Sequence, residues 1–94
     1  MARPTIAELR ALVQSLRYAL STHAIAELAD EDLTVLDFEN VVLTGSIVAH
    51  QRDWTTREIK CVVRGSALDG QQAESVVKVN RTGRLRVITI YCID

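Results

Sequence analysis

The sequence predicts an α+β domain, with N-terminal helices packed on one face of a four-stranded antiparallel β-meander. Three observations carry this. Apolar residues in the first half recur every three or four positions, the spacing of a helix stripe. After Gly45 the period drops to two and β-branched residues concentrate, as strands require. The links between the later segments are short, and short links join antiparallel neighbours. The 94 residues suffice for one domain with a modest core. Residues 1–20 read as an N-terminal helix, 21–45 as short helices and 46–94 as the sheet.

Thr5 and Glu8 have capping-box spacing, with Pro4 just before, so the first helix starts there. Its stripe is Ile6, Leu9, Leu12, Val13, Leu16, Ala19 and Leu20. A break is expected at Ser21-Thr22-His23, because hydroxyl side chains compete with the helix backbone and favour N-caps. A short helix then runs to about Ala29, with Ala24, Ile25 and Leu28 inward. Thr34 and Asp37 repeat the capping-box spacing and open a third helix from Val35 to about Leu43. Val35, Phe38, Val41 and Val42 form its inner side, and Gly45 stops it.

Four strands follow. In residues 46–52 the alternation sets Ile47 and Ala49 against Val48 and His50. Residues 53–56 turn the chain. Residues 57–64 place Ile59, Cys61 and Val63 inward and Glu58, Lys60 and Val62 outward. Asp69-Gly70 marks a turn in the loop over residues 65–72. The last two strands flank Asn80-Arg81-Thr82-Gly83, a hairpin turn. In the final strand Leu85, Val87, Thr89 and Tyr91 alternate with Arg86, Ile88 and Ile90.

Eleven Lys and Arg against twelve Asp and Glu give a formal net charge of -1. That argues against a strongly basic, non-specific nucleic-acid binder but leaves room for a local basic patch. No apolar run approaches the ~20 residues of a membrane span, and no apolar segment follows the opening MARPT. The chain is therefore expected to be cytoplasmic, with no membrane partner. Cys61 and Cys92 lie in apolar strand patterns and are expected as buried thiols. No C-x-x-C or paired-His pattern points to a metal, and no phosphate loop or dinucleotide fingerprint points to a cofactor.

The chemistry-bearing candidates are few. His23 sits at a helix start, and imidazole is the commonest acid–base group near neutral pH. Arg64 ends a strand just before Gly65, and a guanidinium suits a phosphate held by two bonds. Arg86 adds positive charge to the sheet. Thr89 and Tyr91 point the same way from the last strand. Glu74 is expected in an ion pair with a neighbouring Arg, and His50 has no motif around it.

Three stretches in order are Ser21-Thr22-His23-Ala24, then residues 64–70 (RGSALDG), then Val87-Ile88-Thr89-Ile90-Tyr91. Together they resemble a family of small prokaryotic proteins, the domain of unknown function numbered 4258. Its members typically read S-x-H-A, G-x-x-L-D-G and I-I-T-V-Y. The resemblance covers about residues 21–94. Glu27 and Glu31, beside Asp30 and Asp32, stand where many members carry Arg.

Some members lie in toxin loci, and the family has been likened to RelE-like toxins, which set helices on an antiparallel sheet and cut RNA without metal. The resemblance thus implies a ribonuclease of toxin–antitoxin type, needing neither metal nor cofactor, with RNA and a cognate antitoxin as partners. It implies His23 as the proton-transfer residue and Arg64, with Arg86, on the phosphate, while Thr89 and Tyr91 line the site. The alternative is a non-enzymatic interaction module working through an exposed sheet edge. Such an edge would also serve a homo-oligomer.

Overall fold

A computed structural model describes residues 3–93. Met1, Ala2 and Asp94, which the sequence reading included in the domain, lie outside the described residues. The elements in chain order are α1 (Ile6–Gln14), β1 (Tyr18–Leu20), α2 (Thr22–Asp30), α3 (Val35–Thr44), β2 (Ser46–Arg52), β3 (Ile59–Ser66), β4 (Gln72–Val79) and β5 (Leu85–Cys92). The α+β class stands. Among the described residues the sheet has five strands rather than four, in the order β1-β5-β4-β3-β2. It is mixed rather than wholly antiparallel, because β1 pairs parallel to β5.

The extra strand follows from where α1 ends. The apolar stripe predicted a helix to Leu20, but the helix stops at Gln14. Leu16 adopts a left-handed φ of 59°. Its N–H donates to the Val13 carbonyl, and that of Arg17 donates to Leu12. This is a Schellman close with Leu in the position glycine usually takes. Tyr18, Ala19 and Leu20 are then free to pair with Leu85, Arg86 and Val87. α2 closes the same way, with Asp32 at φ 58° and the Leu33 N–H donating to Leu28.

All three helices start at hydroxyl caps. Thr5, Ser21 and Thr34 accept from the backbone N–H of Glu8, Ala24 and Asp37, and at Thr34 the capping box is complete. The helices bury one face of the sheet. Leu9, Val13, Ala24, Leu28, Phe38, Val41 and Val42 pack with Cys61, Val63, Ala73, Val77, Leu85, Val87 and Ile90. The Tyr18 ring meets Phe38 at 5.5 Å, tilted. Its hydroxyl donates a short bond to Glu39, and burial followed by that carboxylate pushes its pKa up to about 12. Ile25 and Val35, expected inward, are exposed.

Gly45 does end α3, but for a different reason. It is extended, not left-handed, and what it supplies is lack of bulk. A Cβ at Gly45 would sit 2.4 Å from the Val41 carbonyl oxygen, and one at Gly65 would sit 2.1 Å from the same atom. The end of α3 therefore lies directly on β3. The Asn40 side chain and Thr44 hydroxyl bond the neighbouring backbone of Ser66 and Ala67.

Two β-bulges correct the predicted alternation. The β2–β3 register shifts between Ile47 and Ala49, so His50 pairs with Cys61 and shares the face of Ile47 rather than that of Val48. The β4–β5 register shifts where Ile88 is inserted, so Val77 pairs with Val87 and Val76 with Thr89. Leu85, Val87 and Ile90 face the helices, while Thr89 and Tyr91 join Arg86 on the outer face. One inserted residue exchanges the faces of everything beyond it.

Candidate active site

The second bulge sets the site. Ser21 caps α2 and ties it to β5. Its N–H donates to the Val87 carbonyl at 2.9 Å, and its hydroxyl donates to that of Ile88 at 3.0 Å. The first bond continues the parallel β1–β5 ladder into the start of α2, and the second ties the Ser21 side chain to the bulge. One residue into the helix stands His23, and one turn later Glu27.

Glu27 Oε1 is the hub of the first half of the site. It lies 3.2 Å from His23 Nε2. It also accepts the Ile90 N–H at 3.3 Å and a short bond from the Thr89 hydroxyl. Glu27 is mostly buried, whereas the His23 side chain is 70% exposed. The imidazole is thus held at one edge and open to solvent at the other.

The second half lies in one cross-strand row. Arg64, Glu74 and Tyr91 are register partners on β3, β4 and β5. Arg64 donates from Nε and Nη2 to Glu74 Oε2, at 2.7 and 2.5 Å. Tyr91 donates its hydroxyl to Oε1 at 2.7 Å. The ion pair expected of Glu74 is present. The Tyr91 hydroxyl first, and then Arg64, hold the Glu74 carboxyl below its ordinary range. The same hydrogen bond raises the Tyr91 phenol, with burial adding to it. Arg64 is 51% exposed. Glu74 engages one edge of its guanidinium, leaving N–H donors for a ligand.

Thr89 and Tyr91 join the halves, two residues apart on one face and so about 7 Å along the strand. Of the four residues singled out from the sequence, Arg64, Thr89 and Tyr91 therefore share one end of the outer face, and His23 on α2 is linked to Thr89 through Glu27. Arg86 lies one row further along β5, opposite Lys78. A cavity of about 430 Å³ lies elsewhere, among Pro4, Glu8, Arg57, Ile59, Val79 and Arg81.

Sequence reasoning missed Glu27, which it noted only as an acidic residue standing where many members of the resembled family carry Arg. The signal was its i, i+4 spacing from His23, which puts both on one helix face. The loop motif over residues 65–70 proves architectural. Leu68 donates its N–H to Asp37, Asp69 accepts from Gln71, and Gly70 turns the chain at φ 89°. Cys61 is buried, and burial raises its thiol. Cys92 is half-buried, and no disulfide joins the two. Among the described residues no three His, Cys, Asp or Glu side chains gather as a metal-binding group. No described helix is long and apolar enough to cross a membrane.

A comparison with curated proteins gave no match, and one with solved structures gave none. A family profile does match, over residues 20–92. The matched span starts as β1 ends and takes in Ser21, His23, Glu27, Arg64, Glu74, Thr89 and Tyr91, leaving out α1. The chain belongs to the family described as Domain of unknown function (DUF4258).

Proposed function

We propose that this chain is a metal-independent endoribonuclease of toxin–antitoxin type, or a degenerate relative of one. The observation that supports this reading is that His23 with Thr89, and Arg64 with Tyr91, adjoin along β5. Glu27 and Glu74 connect them in two linked sets.

The chemistry needs a base, an acid and a cation at the phosphate. His23 takes the proton of the ribose 2′-hydroxyl, oriented by Glu27. The 2′-oxygen attacks phosphorus, and the bond to the 5′-oxygen breaks. Tyr91 is the acid: its hydroxyl turns the proton it shares with Glu74 to the leaving 5′-oxygen. Arg64, fixed by Glu74, presents its remaining N–H groups to the phosphate as charge develops. The products are a 2′,3′-cyclic phosphate and a 5′-hydroxyl. RNA is the substrate, and a cognate antitoxin is the protein partner.

Induced expression in bacteria tests the reading. Wild type is expected to arrest growth with loss of total RNA, and His23→Ala is expected to do neither. A His23→Ala variant as toxic as wild type would remove the site assignment.

One observation favours the interaction-module alternative. β2 is an edge strand, exposed at six of its seven residues, and Trp54 beside it is 81% exposed. Such an edge can accept an added strand from another protein or a second copy. A folded wild type that arrests nothing yet self-associates through β2 would favour that reading.

A further inference from the structure

We propose that the cleft between Arg17 and Arg84 is a second phosphate subsite, which holds an RNA strand running along β5 to the candidate active site. The inference deepens the ribonuclease reading and rests on it. The cleft has a volume of about 270 Å³ and is lined by Leu16, Arg17, Thr82 and Arg84.

Parallel pairing of β1 creates it. The Leu85 N–H donates to the Arg17 carbonyl at 3.0 Å, which sets Arg17 beside Arg84. The next row places Arg86 opposite Lys78, and Lys78 opposite Lys60. Five cations thus crowd one end of a chain whose net charge is -1. The two lysines have carboxylate partners, Lys78 with Glu58 at 3.1 Å and Lys60 with Asp53 at 3.7 Å. Among the described residues, Arg17, Arg84 and Arg86 form no salt bridge.

Like charges set side by side across strands are destabilising. An anion between them relieves that repulsion. Two guanidinium forks match the oxygens of a phosphodiester. Arg84 lies about 15 Å along the strand from Thr89, with Arg86 between them. One RNA strand therefore meets the cleft, then Arg86, then His23 and Thr89.

The test is anisotropy of a labelled, uncleavable 2′-O-methyl RNA oligonucleotide over a salt series. The variants are Arg17→Gln with Arg84→Gln and Arg17→Lys with Arg84→Lys. The Gln pair should weaken binding about tenfold and flatten the log–log salt slope by about 0.7, the value for one neutralised phosphate on a single strand. The Lys pair should keep most of the slope, because charge sets it. The Gln pair should melt at or above the wild-type temperature, which separates lost binding from lost fold. Wild-type affinity and slope in a folded Gln pair would overturn the subsite and leave the ribonuclease reading standing. A folded wild type that binds no RNA at all would overturn both.

Discussion

Replacing Glu74 by Gln keeps the shape of the side chain that joins Arg64 to Tyr91 and removes its charge. The carboxylate accepts three bonds, two from Arg64 and one from Tyr91. The amide has one acceptor oxygen. Turned toward Arg64, it presents its NH₂ to the Tyr91 hydroxyl. A hydrogen bond to a charged group is worth about 1.5–3 kcal/mol when protected. The Glu74 side chain is only 11% exposed, but Arg64 is half in water. The Arg64 share therefore falls toward the ~1 kcal/mol of surface pairs. We expect Glu74→Gln to lose about 2 kcal/mol at pH 7, a visible part of the roughly 5–14 kcal/mol typical of a domain this size. Urea titration would measure it. The carboxyl is held below its ordinary range in the fold, so its contribution is present above the unfolded-state value and lost as pH falls through the folded one. The gap between wild type and variant should close below about pH 4. Equal stability at pH 7, or a gap that persists undiminished into acid, would refute the reasoning.

Further expectations follow from single observations. Gly65→Ala places a methyl 2.1 Å from the Val41 carbonyl oxygen, so α3 must lift from β3 at a cost of about 3 kcal/mol, read by thermal melting. Leu16→Gly relieves the left-handed conformation at the end of α1 and should raise stability by up to about 1 kcal/mol in the same assay. Tyr18 should ionise near pH 12 in an ultraviolet titration. Its raised value stabilises the fold below the unfolded value near 10, and the contribution is lost as pH climbs through 12. Thr89→Val takes away the hydroxyl that Glu27 accepts, and should cut RNA cleavage about tenfold while shifting the melting temperature little.

What could be read ahead of the structure follows from locality. Helix starts were legible because Thr5, Ser21 and Thr34 act within one turn of themselves. The end of α1 was not, because its left-handed residue is a leucine rather than the glycine that would announce it. β1 was hidden for the same reason, Ala19 and Leu20 continuing the apolar stripe. Neither bulge is marked by Gly or Pro, so alternation was extended straight through both. The error moved Ala49, His50, Thr89, Ile90 and Tyr91 to the wrong faces. His23, Arg64, Thr89 and Tyr91 could be selected from three motifs, but their meeting depends on β3, β4, β5 and α2 assembling together. The Arg17–Arg84 cleft depends on the parallel pairing of residues far apart in the chain, which no local pattern encodes.

The central claim is that the His23 end of the outer face cleaves RNA without a metal. Purified wild type and His23→Ala should each be incubated with RNA in excess chelator and the new ends identified. Wild type is expected to leave 2′,3′-cyclic phosphate and 5′-hydroxyl ends, and the variant to leave none. A folded wild type that leaves RNA intact, or a variant that cuts as fast as wild type, would contradict it.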